Sequence, residues 1–553
     1  MKYKKSFLFA SSLLLLTNAS QAQTVWTGAT NGTWATGTTG NWTGGTGTDF
    51  TTGDAVQFNE TTGAILAITV DAAGVSPVSV NFTDGGGGTK AYTFTNASGA
   101  VGIAGAGSVT LDSGFGGSAR FNSANTYSGG TTLNAGTLIV ANNTSLGTGT
   151  LTLDGGIFFT ATVSMNLGNA VNVTGNTRIF SKNGNATLSG AITGNGTLTG
   201  GGEGAAAATF IITNNMSGFT GTVIHNNVNG LNNLTFNGTV NTTAKFQTTG
   251  ATVSNRNLRF NANATIGELS GTGGVVFGDN TILTINQSTN TTFAGVFQDV
   301  NDTTRRLAIV KSGSGTLTLT AANLHRQSTT VTGGKLSVGP TGSINSTTGV
   351  TIGTASTAAA AEFNYNSSTA LTKTVSFAAG STGGILSGSG TISNAVNVTA
   401  GNTLAIGNSV GQMNFGNTLA LNGTTVMEID GDAGAGIAGG HDFANLTGVV
   451  DAGVLSYGGA LTLDIGMVFG TGSYTWNLFD FASETGDFAT ITLADQYSGS
   501  LTNGGGGIWG LTSGDNIWQF TESTGVLGLT VVPEPSAALL GCIGMLFLLR
   551  RRR

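Results

Sequence analysis

Four prolines and one cysteine are all that 553 residues contain of those types, and charged side chains make up only 8% of the chain. Each shortage excludes something. With Cys542 alone, no intrachain disulfide and no thiolate metal cluster can form. Stability must therefore come from burial and hydrogen-bonded backbone. So little proline beside 91 glycines rules out a collagen repeat and a polyproline linker. The net charge of −6 is too small to hold a chain this long unfolded by self-repulsion. Of the 20 basic residues, Lys2, Lys4, Lys5 and Arg550 to Arg553 stand at the two ends. Between them lies no Lys/Arg cluster of the kind that displaces counterions from phosphate, so a nucleic-acid partner is not expected.

What fills the chain is threonine, valine, isoleucine, glycine and asparagine. β-Branched residues suit pleated strands, and glycine and asparagine suit the turns between them. The composition reads as all-β. It is also repetitive. "ANTYSGGTTLNAGTLIV" (Ala124 to Val140) aligns without gaps to "ANLHRQSTTVTGGKLSV" (Ala322 to Val338), with seven of seventeen positions identical. A looser third copy, "NNMSGFTGTVIHNN", begins at Asn214. Each copy is a turn followed by a short alternating strand. Such units cannot bury their apolar faces singly and must stack, which predicts a β-solenoid.

With "GSGTLTL" (Gly313 to Leu319) and "NTYSGGTTLNAGTL" (Asn125 to Leu138), the repeats resemble the autotransporter-associated β-strand repeat. The second full copy departs from that form, with His325 in the tyrosine position and Arg326-Gln327-Ser328 in place of Ser-Gly-Gly. The resemblance implies a right-handed parallel β-helix of passenger type. It does not imply self-transport, because the chain lacks a terminal run of lipid-facing alternating strands.

Both ends read as addresses. "MKYKKSFLFASSLLLLTNASQAQ" has three lysines, an apolar core from Phe7 to Leu16, and small residues before a cut between Ala22 and Gln23. That is the layout of a secretory signal peptide. At the other end, Pro533-Glu534-Pro535 precedes an apolar run, Ser536 to Leu549, and the four arginines Arg550, Arg551, Arg552 and Arg553. A short membrane helix with arginines as a cytoplasmic stop agrees with the positive-inside rule. The three-part ending resembles the PEP-CTERM sorting signal. The resemblance implies processing by an exosortase, passage through the inner membrane, and delivery to the outer surface or an exopolysaccharide matrix.

Candidate chemistry is sparse. Gly407-Asn408-Ser409-Val410-Gly411 matches the G-x-S-x-G nucleophile elbow, with Asp430 or Asp432 and then His441 following in α/β-hydrolase order. The motif needs a helix after the turn, whereas the residues that follow alternate as strand. His325 is expected to stack or brace a turn, as Tyr127 would. His225 and His441 lack partners at metal-ligand spacing. "DGDAGAG" from Asp430 offers too few oxygens for calcium and reads as a solvated turn. No catalytic residue, metal ligand or cofactor is assigned.

The expected organisation is a signal peptide (1–22), an N-terminal β cap (23–103), a repeat-bearing β-helix (104–413), an antiparallel C-terminal β-module (414–532) and a sorting signal with a short transmembrane helix (533–553). The expected role is non-catalytic: a surface or matrix protein that binds exopolysaccharide or associates with itself. The alternative is a β-helix polysaccharide lyase or glycosidase whose carboxylate pair comes from neighbouring coils.

Overall fold

The computed structural model describes residues 23–532 apart from short internal stretches (38–39, 46, 61–64, 87–88, 100, 163, 201–207, 227–232, 251–256, 301–303, 356–359 and 447–452), together with 543–547 and 550. The chain divides into two compact units at Ile157 and Phe158.

In the first unit, the strand Thr24–Trp26 pairs antiparallel with Trp42–Gly44 and parallel with Ala55–Asn59. Everything after that is parallel stacking. One sheet runs Ala55–Asn59, Ser79–Thr83, Ser108–Leu111, Thr131–Leu133, Leu151–Leu153. A second runs Thr33–Trp34, Ala67–Val70, Ala91–Asn96, Ser118–Phe121, Thr137–Val140. The start of the unit is closed by indoles. Trp26, Trp34 and Trp42 are at most 2% exposed, and the Trp26 and Trp42 rings meet edge-on at 5.0 Å. Burying such rings removes the edge that an open coil would present. Parallel pairing thus already takes in Thr24–Trp26 and Thr33–Trp34, within the expected cap 23–103.

In the second unit each early coil has three strands. Val171–Val173, Asn176–Ser181 and Asn185–Leu188 lie beside Ile192–Gly194, Thr197–Gly200 and Thr209–Ile212 of the next coil, all parallel. One sheet persists coil after coil, from Asn176–Ser181 to Thr490–Asp495. The alternation of the sequence explains it. Leu198, Val223, Phe246 and Leu269 stand in register on the inner side, each 0% exposed. Burying each contributes roughly 1.5–3 kcal/mol. Their neighbours Thr199, Ile224, Gln247 and Ser270 are half-buried on the outer side. Like residues also stack between coils, as Phe236 does on Phe260 at 5.2 Å.

The parallel ladder does not stop at residue 414. It continues through Thr424–Ile429, Ala460–Ile465 and Thr490–Asp495. Antiparallel pairing joins Gly499–Asn503, Ile508–Ser513, Asn516–Thr521, Val526–Val531 and Gly472–Asn477. Antiparallel pairing is thus confined to these strands, and much of the stretch expected as a C-terminal module (414–532) belongs to the parallel ladder. Alternation reports that one face is buried and not which way the neighbouring strand runs.

Of the expected transmembrane helix, the structure describes only a helical turn and a half, 543–547, with exposed side chains. Among the described residues no helix is long and apolar enough to cross a membrane. Pro533, Glu534, Pro535, Arg551, Arg552, Arg553 and Ala22 lie outside the described residues, whereas Gln23 and Arg550 lie within them.

Candidate functional site

The repeats organise the local chemistry, and their two full copies use the same devices. Asn125 accepts the backbone N–H of Ile103 (2.9 Å) and donates to the Ser145 carbonyl (2.7 Å). Asn323 accepts the N–H of Phe297 (3.0 Å) and donates to Ala321 (2.9 Å) and Ser343 (3.3 Å). Each asparagine thus ties its turn to the coils before and after it. Two residues on, the Tyr127 hydroxyl meets the Thr131 hydroxyl at 2.6 Å, and the His325 Nε2 meets the Thr329 hydroxyl at 2.8 Å. His325 is 0% exposed, lies edge-on to Phe297, and burial pushes its pKa down to about 4. A ring held neutral and enclosed is a brace, in the role of Tyr127. Gly136 and Gly334 end the turn with φ of +70° and +59°. A Cβ on Gly334 would overlap the carbonyl oxygens of Gly313 and Gly315. Both the left-handed backbone and the missing Cβ are therefore required there.

The looser copy behaves differently. Asn214 accepts from its own Met216 N–H (3.1 Å), closing a local turn without reaching another coil.

The stretch Gly407 to Gly411 is a bend that leads into the strand Gln412–Phe415 and not into a helix. Gly407 and Gly388 exchange backbone bonds, so the bend folds over the outer side of the persistent sheet. Ser409 is exposed on it, and His441 Nε2 bonds the Asn477 carbonyl at 3.0 Å. The nucleophile-elbow geometry is absent. The engaged residue of the bend is Asn408. Its Oδ1 accepts from Asn364 Nδ2 (2.6 Å) and from Lys335 Nζ (3.3 Å). Around it, Asn364 donates to Ser387 (2.8 Å), Ser337 donates to Asn364 (2.9 Å), and Lys335 pairs with Glu362 at 2.9 Å. Glu362 also accepts the Ser387 hydroxyl. Four coils thereby share one network of hydroxyl, amide, ammonium and carboxylate groups. Asn364 and Ser387 are at most 3% exposed, although they sit at outer positions.

One further cluster was not read from the sequence as a unit. Glu428 stands in register beside Asp464 of the next coil. Burial, then Asp430 and Asp464, push the Glu428 carboxyl up. Asp442, 0% exposed, accepts the N–H groups of Gly411 and Glu428, both at 2.8 Å. Burial raises its pKa to about 8, against the pull of those two bonds and with help from Glu428 and Asp430. The cluster can hold a proton near neutrality. Nothing in the sequence signals Asp442, because its partners come from residues 14 and 31 positions away. Among the described residues no group of three or more His, Cys, Asp or Glu is arranged to hold a metal ion. His225 lies on the inner side of the ladder between Gly200 and Thr248.

Residues 104–140 and 309–338 match the family described as the passenger-associated transport repeat. The looser copy at Asn214 lies outside the matched residues. None of the curated proteins and none of the solved structures matches the chain. Passenger-associated repeats on a stack of parallel strands point to an exported, passenger-like surface protein.

Proposed function

We propose that the chain is a non-catalytic surface or matrix protein, exported through its N-terminal signal and sorted by an exosortase through Pro533-Glu534-Pro535. Its tail holds it at the inner membrane only until processing, with Arg550 to Arg553 as the cytoplasmic stop. The mature protein presents stacked polar coils to exopolysaccharide. The observation that carries this reading is the outer side of the persistent sheet in the second unit. Thr197, Thr222 and Lys245 follow one another in register there, with Gln247 and Ser270 paired beside them, all exposed or half-buried. Many weak hydrogen-bonding positions at a fixed spacing suit a repetitive polymer, because linked weak contacts multiply. Fractionation of cells making the tagged chain tests it. Recovery from the surface or matrix, with the tail removed and the protein retained on isolated exopolysaccharide, is expected. Recovery with an intact tail from the inner membrane, or no retention, would overturn it. Self-association without added glycan, seen by sedimentation across a concentration series, would instead favour fibre formation through strand edges.

A second reading, a glycan-cleaving enzyme, is favoured by the pair Glu428 and Asp464, which neighbouring coils bring side by side. A raised carboxyl beside a second carboxylate is what glycoside cleavage uses. Depolymerisation of any member of a polysaccharide panel, lost in Glu428→Gln and Asp464→Asn, would establish this reading over the first.

A further inference from the structure

The sheet that ends at Val296–Asp299 is crossed by the second repeat turn, and between them lies a hollow of about 100 Å³. Gln298, Asp299, Val300, Leu324, Arg326 and Ser346 line it. Asp299 is 4% exposed, and its Oδ1 accepts the N–H groups of Leu307 (2.8 Å) and Arg326 (3.2 Å). Its Oδ2 is buried and has no hydrogen-bond partner among the described residues. A buried carboxylate oxygen left unpaired is costly, and such an atom calls for a donor from outside the protein.

The first repeat copy shows what the turn needs without a hollow. Asn125 holds Ile103 as Asn323 holds Phe297, so Gly105 stands where Asp299 stands and Ala104 where Gln298 stands. There the N–H of Ser128, the counterpart of Arg326, simply bonds the Gly105 carbonyl at 2.9 Å. A backbone oxygen is enough to hold the turn. The Asp299 carboxylate, the Gln298 amide and the Arg326 guanidinium occur beside the second copy and not the first, and Arg326 lies where the second copy's sequence leaves the repeat form.

We propose that this hollow is a binding site for a neutral polyhydroxy ligand, one sugar residue of a glycan. The assignment rests on the surface-glycan reading above and names a place for it. An anion would face the Asp299 carboxylate, and a cation would face the Arg326 guanidinium. Adjacent sugar hydroxyls satisfy both, since each hydroxyl donates and accepts. Oδ2 accepts from one, while the guanidinium and the Gln298 amide donate to its neighbour. Leu324, 47% exposed, offers an apolar wall to the C–H face of a ring. The hollow is well below the roughly 300–1,000 Å³ of pockets that enclose a whole drug-sized ligand. It therefore takes one edge of one residue and leaves the rest of the polymer outside.

The test titrates the purified full chain with methyl glucoside, methyl galactoside and methyl mannoside, and separately with sodium glucuronate and ammonium chloride. Saturation-transfer NMR and calorimetry give the readout. At least one neutral glycoside should bind at least tenfold more tightly than glucuronate or ammonium. Arg326→Ser, which restores the residue of the first copy at an exposed position, should weaken that binding at least tenfold. Asp299→Asn should do the same, and if that variant does not fold, Arg326→Ser decides alone. No binding of any neutral glycoside, undiminished binding in Arg326→Ser, or preference for glucuronate or ammonium overturns the site. Retention on whole exopolysaccharide that persists without any of these effects would overturn the hollow and leave the matrix role standing. Monosaccharide binding lost in Arg326→Ser, without retention on the polymer, would uphold the hollow and overturn the matrix role.

Discussion

Replacing Asn323 with alanine removes a clamp of three hydrogen bonds, of which the one from the Phe297 N–H is fully buried. The side chain is 2% exposed. Its loss leaves the Phe297 N–H without its acceptor, whereas the Ala321 carbonyl keeps the backbone N–H of Ser343 at 3.1 Å. The Ser343 carbonyl keeps the backbone N–H of residue 323 at 2.8 Å, so it is not orphaned. One buried N–H left unpaired gives a loss of about 1–3 kcal/mol. Stacked coils need not unfold as a single cooperative unit, so the loss is best read locally. Amide hydrogen exchange at Phe297 and Leu324 is the assay, since every 1.4 kcal/mol changes an opening constant about tenfold. Protection at Phe297 should fall by about fivefold or more. Asn417→Ala, at an exposed residue that bonds only the adjacent Thr418 N–H, should change nothing there. If protection at Phe297 stays within threefold of the parent, the clamp does not carry the load assigned to it.

Three further outcomes are expected. His325→Tyr should fold, since Tyr127 fills the matching place in the first copy. The parent's His325 is held neutral down to about pH 4 while the unfolded ring protonates near 6.5. The parent should therefore lose stability as pH falls from 6.5 toward 4, a component absent from the variant, and parallel melting curves for the two proteins would refute this. Lys311 is 0% exposed and donates to the carbonyls of Ser312, Gly313 and Gly333. Burial lowers its pKa to about 8 from 10.5. Its unfolded form holds the proton longer, so the parent should gain stability between pH 8 and 10.5, whereas Lys311→Met should not; an equal gain in both by urea midpoint contradicts the assignment. Gly334→Ala should cost at least about 1 kcal/mol, because it puts a Cβ at φ +59° against two carbonyl oxygens. An unchanged melting temperature would show that the turn can relax.

The sequence made the repeat devices legible. The Gly-x-Leu-x-Val close fixes which residues face inward, and the alignment of His325 with Tyr127 gave the histidine a structural role that its bond to Thr329 bears out. The strand character after Gly411 was enough to discount the nucleophile elbow. What stayed hidden depends on chain brought in from far away. Ser337, Asn364 and Ser387 alternate as outer residues, and nothing local says that they are buried. Asn408, on the bend that Gly407 pairs to Gly388, engages Asn364 from 44 positions along the chain. The boundary drawn at residue 414 failed for a related reason. Ala460–Ile465 is a longer alternating strand, but its partner is the parallel Thr424–Ile429, reached after a longer excursion. Asp442 and the hollow at Asp299 both depend on which coil lies next to which.

The direction of the backbone bonds in the second unit also sets how it would respond to a pull. Each bond between Thr403 and Thr424, or between Thr222 and Lys245, links one coil to the next along the stacking direction. Tension applied along that direction loads these bonds a coil at a time, like a zipper and not like a clasp. Once a coil detaches, the chain between Thr403 and Thr424 can extend by about 70 Å, at about 3.4 Å per residue. Such a molecule would lengthen in steps under shear and dissipate work at each step.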